Sequence, residues 1–180
     1  MSLDRLELEA AWNISRFHGT SGCPMGDIQA LRRLCWPGIY AAGESLEDGF
    51  DDDAWHWTVR SGPQLIAAAR LTTHYNLIQI PDAHLFNHLV SFPLPTPIGY
   101  ISRLVVHPGA RRHGLAGVLD CRRLEACREL SAKSVIAIWT TQSGAHRKKQ
   151  LLNLGFQSPD GGAAHPDGAF GVSSVYWMLL

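Results

Sequence analysis

The apolar positions of this chain change their spacing several times, and each change marks an expected element. Leu3, Leu6 and Leu8 fit neither the helical nor the strand period, whereas Trp12 and the residues from Ile14 to Phe17 read as a first strand. After Gly22-Cys23-Pro24, Asp27 is the expected N-cap of a helix that puts Ile28, Leu31 and Cys35 on one face and stops near Pro37-Gly38. Trp55 to Arg60 and Gln64 to Thr72 are strand-like, and Ser61-Gly62-Pro63 between them makes a hairpin, the antiparallel start of a sheet. Tyr100 to Val106 carries Ile101, Leu104, Val105 and Val106 and ends at Pro108-Gly109, the pattern of a buried strand closed by a turn. Leu115, Leu119, Ala126 and Leu130 then fall on one arc of a helix, with Arg122 on the same arc and expected to snorkel past its edge. Ser134 to Trp139 reads as another strand, SGAHRKKQLLNL as a helix, and Val172 to Leu180 as a final strand.

The connections are less regular. Glu44 to Asp53 (ESLEDGFDDD) reads as a solvated loop, because it lacks the spaced ligands and closing Glu of a calcium loop. Thr73 to Ile98 is a long connection with a short helix expected at Ala83 to Val90, followed by Pro93, Pro95 and Pro97, whose alternation enforces an extended backbone. Gln157 to Ala169 is a Gly/Pro/Asp loop. No repeat, linker or low-complexity segment divides the chain, so residues 1–180 are expected to form one α/β domain.

Composition narrows the partners. Of 180 residues, 46% are hydrophobic and 18% charged, and the net charge is zero with nine histidines, so nothing favours a nucleic acid or a membrane surface. The absence of a long apolar run or a signal-peptide start points to a cytoplasmic protein. Cys23, Cys35, Cys121 and Cys127 form no C-x-x-C pair and read as free thiols. His84 and His88, four apart, lack an evident third ligand, so no metal is assigned.

The candidate chemistry lies between the Tyr100 strand and the helix after it. Arg111, Arg112, His113, Gly114, Leu115, Ala116 and Gly117 stand where a helix begins. Unpaired N–H groups at a helix start and the helix dipole together favour a phosphate or pyrophosphate. Gly114 has no side chain to hold an anion off the backbone, and the three basic residues add positive potential. No G-x-x-x-x-G-K-S/T is present, nor a G-x-G-x-x-G with a suitably placed acidic residue, so nucleotide hydrolysis and dinucleotide binding are not supported.

From Gly99 to Phe156 the chain resembles the coenzyme A binding core of the GNAT N-acyltransferases. Arg111, Gly114 and Ala116 match that family's Q/R-x-x-G-x-G/A motif, and Leu154-Gly155-Phe156 its LGF ending. The resemblance implies a GNAT fold, a mixed and mostly antiparallel central sheet with flanking helices. It also implies an N-acetyltransferase that uses acetyl-CoA as co-substrate and no metal, with a small-molecule or peptide amine as acceptor. By the same resemblance the pyrophosphate lies over Arg112 to Gly117, the pantetheine runs beside Leu104, Val105 and Val106, and Thr73 to Ile98 borders the acceptor as a lid.

Amine acylation needs a base or water chain, an N–H for the oxyanion and often an acid for the thiolate. The sequence departs from the family at both side-chain roles: Tyr100 stands eight before Pro108, where many members have Glu, and Leu151 four before Gly155, where many have Tyr. The base is therefore expected from Tyr100 through a water, His56 or His74, with Ser102 polarising the acceptor or acid. His146-Arg147-Lys148-Lys149 is either a 3'-phosphate contact or a solvated helix face. A second resemblance, of Ala69-Arg70-Leu71 and Ile101-Ser102-Arg103 to the R-L and S-R strands of acyl-homoserine lactone and N-acyl amino acid synthases, implies longer acyl donors, with Arg70 and Arg103 as the distinctive residues; the alternative for both arginines is a structural ion pair. The alternatives are such a longer-chain transferase or a non-catalytic acyl-CoA-binding module. The final strand, with Tyr176 and Trp177, either offers an edge to a second copy in a homodimer or completes its own sheet.

Overall fold

The computed structural model describes residues 12–38, 45–81, 83, 94–140, 143–158, 163–164 and 172–180. They fall into two compact units, residues 1–71 with 103–122 and residues 72–102 with 123–180. The expected sites at His84, His88 and most of Gln157 to Ala169, and the Leu3 to Leu8 segment, lie outside the described residues.

In the first unit, β1 (Asn13–His18), β2 (Trp55–Ser61) and β3 (Gln64–His74) form an antiparallel meander, and the strand order continues to the end of β4 (Ile98–Val106). Alternation is lost in β3 because both of its faces are covered, so LIAAARL reads as a nearly continuous apolar run. Helix α1 (Met25–Cys35) packs Met25, Ile28 and Leu31 on Leu65, Ala68 and Val105. Truncating Leu31 there costs roughly 2–5 kcal/mol.

Asp27 is not the N-cap of α1: the helix starts two residues earlier, with Pro24 at the cap position, and the Asp27 carboxylate instead pairs with Arg60. The end of β1 meets the acidic loop closely. Gly19, at φ +69°, donates its N–H to Ala54 O at 2.8 Å, and a Cβ there would stand 2.6 Å from Asp52 O. Only glycine combines that backbone conformation with that approach.

In the second unit, β4 pairs in parallel with β5 (Ser134–Thr140) from Ile98↔Ser134 to Ile101↔Ala137. A parallel pair needs a crossover, and α2 (Leu115–Glu129) supplies it. Strand β5 pairs antiparallel with β7 (Val172–Leu179), which also pairs with the short β6 (Ala163–Ala164). Strand β7 thus joins its own sheet along β5, while β6 meets only Val172 and Ser173 on its other side. Ile80, Leu94, Ile98, Tyr100, Ile136 and Val175 make the core of this unit. Helix α3 (Gly144–Asn153) buries Leu151 and carries the basic run. The result is the expected mixed, mostly antiparallel sheet with helices.

Helix α2 carries two adjacent arginines in different settings. Arg122 is exposed, and the buried arginine is its neighbour Arg123, at 0% exposure, whose Nη1 donates to Ser102 O at 3.0 Å. Buried Val118 and Leu115 flank Arg122 around the helix, so its exposed side chain reaches water past the helix edge, as expected. Among the described residues no helix is long and apolar enough to cross a membrane.

Candidate active site

The strand β4 ends at Val106, and the chain turns through Pro108–Ala110 before α2 begins at Leu115. His107 caps that turn: its Nδ1 accepts from Gly109 N–H at 3.1 Å. Arg111, Arg112, His113 and Gly114 are all exposed. Within this stretch Arg112 (φ +69°) and Gly114 (φ +82°) are left-handed. The first intrahelical bond of α2 is Val118 N–H to Gly114 O at 3.1 Å, so the N–H groups of Leu115, Ala116 and Gly117 precede the helical ladder. A Cβ on Gly114 would meet no protein atom within 4 Å. The glycine therefore serves its positive φ and the open space in front of it, not a tight contact within the protein.

The rim of this cradle is tied to β4. Arg111 Nε donates to Val106 O at 3.2 Å, and the Cys35 thiol donates to the same carbonyl at 3.4 Å. Burial pushes the Cys35 thiol up, with Arg111 pulling it partly back, and burial raises Cys23 to about 11. Both are protonated and poorly nucleophilic at neutral pH. Leu104 and Val106 are half-buried, and Val105 is buried against α1.

Behind the strands lies a group of charges that sequence reasoning missed. Asp51, in the acidic run expected to be solvated, is fully buried. Its Oδ1 accepts from Arg70 Nη1 at 2.9 Å, and its Oδ2 lies 3.5 Å from Arg32 Nη1. Asp48 accepts from Arg70 at 2.6 Å through Oδ1 and from Arg103 at 2.8 Å through Oδ2. Burial by itself would raise both carboxyls, but the arginines outweigh it and hold both below the ordinary 3.8. The one sequence signal was the Asp-x-x-Asp spacing ahead of a strand that carries a buried His. The two distinctive arginines, Arg70 and Arg103, are thus joined through one carboxylate.

The four proton-transfer candidates occupy different settings. His56, 1% exposed, places Nε2 at 2.9 Å from Asp51 O; the carbonyl can only accept, so Nε2 carries the hydrogen and Nδ1 the lone pair. Burial lowers its pKa below 6.5, which keeps the ring neutral. His74 is buried with Nε2 at 2.7 Å from Thr72 Oγ1, and Tyr100 sits in the apolar core of its unit. Ser102 is half-buried. Of the long Thr73 to Ile98 connection, the described part includes a 3-10 turn, Leu77–Gln79, capped by Asn76 Oδ1, with Tyr75 and Ile78 strongly exposed. On α3, Lys148 Nζ lies 5.7 Å from the Trp139 ring centroid. Among the described residues no group of three His, Cys, Asp or Glu side chains is placed to hold a metal ion.

Comparison with known proteins bears on the same segment. A model of the acetyltransferase (GNAT) family matches residues 26–156. By sequence, no curated protein matches the chain. Among solved structures, an acyl-CoA N-acyltransferase from Pseudomonas aeruginosa is 18% identical, with a TM-score of 0.66 over 92% of this chain and 98% of its own. A Bacillus subtilis acetyltransferase in complex with CoA is 12% identical, with a TM-score of 0.59 over 94% and 99%. An N-acyl amino acid synthase from uncultured soil microbes is 10% identical, with a TM-score of 0.66 over 93% and 90%. At these identities the likeness is one of fold.

Proposed function

Because the chain belongs to the GNAT acetyltransferase family, we propose that it transfers an acyl group, acetyl in the first place, from a coenzyme A thioester to an amine. The observation that carries the donor is the exposed cradle from Arg111 to Gly117, with two left-handed residues at the start of α2. Its N–H groups and basic rim suit a pyrophosphate, and the open space before Gly114 suits a ligand that crosses the backbone closely. In this reading Leu104, Val105 and Val106 line the pantetheine.

The thioester supplies the activated acyl carbonyl. The chain must hold the acceptor against it, accept the amine proton and stabilise the oxyanion. Ser102 is the one proton-transfer candidate that is half-buried rather than buried, which supports it as the group nearest the acceptor or its water. Tyr100 through a water, His56 or His74 is the alternative source of the base. The exposed Tyr75 and Ile78 support the connection after β3 as the acceptor-side lid. The acceptor is an amine on a small molecule or a peptide.

A longer-chain N-acyltransferase is the second reading. It is favoured by the fold likeness to the N-acyl amino acid synthase, whereas Arg70 and Arg103 form structural ion pairs with Asp48, which carry no information on donor length. One experiment separates the readings: acyl-CoA donors from two to twelve carbons, offered with a panel of amines, amino acids and peptides, with free thiol as the product measured. Fastest release from acetyl-CoA is expected; a maximum at eight carbons or more moves the assignment to the second reading. No release above buffer with any pair would leave a binding module.

A further inference from the structure

Arg103 is a non-glycine residue at φ +52° inside a strand. A side chain in that region is disfavoured by about 1–2 kcal/mol, and such strain persists only where the surroundings over-determine it. Its place in β4 is specific: the ladder with β5 covers Ile98 to Ile101, and the residues after Arg103 are Leu104, Val105 and Val106, which lead into the cradle. The Arg103 guanidinium is held by Asp48 Oδ2 at 2.8 Å, and it lies 5.9 Å from the Trp36 ring centroid. Asp48 is itself fixed on three sides. Its Oδ1 accepts from Arg70 Nη1 at 2.6 Å and from Phe50 N–H at 3.0 Å, and its own N–H donates to Asp51 Oδ2 at 3.0 Å. Asp51 in turn is buried between Arg70 and Arg32.

We propose that Asp48 and Arg103 are positioning residues: the ion pair anchored in the acidic loop holds Arg103 left-handed, and that kink sets the course of Leu104 to Val106 along the donor. The acidic loop thereby controls donor binding without touching the donor. This rests on the donor reading given above, and its role in the strand can be tested apart from it.

The discriminating pair is Arg103→Ala and Arg103→Gly in the full chain. Both lose the guanidinium, but glycine adopts φ +52° without cost, whereas alanine pays to stay left-handed or gives up the kink. At an ordinary strand position glycine is the less stable of the two; here the order is reversed, and Arg103→Gly melts above Arg103→Ala in the absence of any ligand. With acetyl-CoA as probe, Arg103→Ala weakens binding on the order of tenfold relative to the unmodified chain. Arg103→Gly regains most of that loss, and the effect falls on the donor KM more than on kcat. Asp48→Asn also weakens acetyl-CoA binding, and Arg103→Gly in that background restores it. If glycine is as poor as alanine in both melting and binding, Arg103 acts through its side chain on a substrate, and the proposal fails. It also fails if both variants bind acetyl-CoA like the unmodified chain. Should the unmodified chain bind no acetyl-CoA at all, the donor reading falls, while the melting order still decides whether position 103 is left-handed in the folded chain.

Discussion

At the scale of single residues, Gly114 separates the two reasons for which a glycine is kept. Its positive φ predicts a fold penalty of about 1–2 kcal/mol for Gly114→Val. The open space around its Cβ predicts that the protein itself accommodates the methyl groups, so loss of donor binding would come from ligand contact. The expected outcome is a folded variant by circular dichroism with a modestly lowered melting temperature and no acetyl-CoA-induced shift. Gly114 was legible in the sequence because a basic segment, a glycine and a small-residue helix start are all local. Arg103 was not: its left-handed backbone depends on Asp48, which lies 55 residues away in the chain. Asp27 failed as an N-cap for a similar reason, since an arginine on β2 takes its carboxylate.

At the scale of elements, the acidic loop before β2 is the part that pattern reading inverted. A run rich in Asp and Glu reads as solvated, yet Asp51 is fully buried because Arg32 from α1 and Arg70 from β3 meet it there. Pairing across three elements leaves no periodic trace. Removing one partner strands the others: Asp51→Ala is expected to cost about 3–5 kcal/mol in urea unfolding, because buried arginines lose their countercharge. Exchanging Asp53, exposed in the same run, for Ala is expected to cost under about 0.5 kcal/mol. Similar costs for the two would contradict the buried network.

At the scale of the whole molecule, stability is expected to follow the buried groups as pH falls. His56 has a folded pKa below its ordinary 6.5, so the unfolded chain binds that proton first, and stability declines from near pH 6.5 downward. Asp48 and Asp51, held below 3.8 by the arginines, add a second loss at more acid pH, complete only below their folded values. Urea unfolding between pH 8 and 5 should show the first decline, and His56→Gln should flatten it. The hairpin and the succession of strands and helices along the chain were readable because short apolar blocks and turn residues announce them. Which buried histidine or hydroxyl handles the proton was not, because that depends on partners from other strands.

The central claim is the donor, and thermal unfolding with saturating acetyl-CoA, octanoyl-CoA or ATP tests it most directly. At about a hundredfold excess over its dissociation constant, a ligand of the folded chain adds roughly 2.7 kcal/mol. For a chain of this size that is on the order of 5–10 °C in melting temperature. A rise with the CoA esters, absent with ATP and abolished in Gly114→Val, is the result predicted. An unchanged melting temperature with every CoA ester, or an equal rise with ATP, would contradict the assignment of the Arg111 to Gly117 cradle to an acyl-CoA donor.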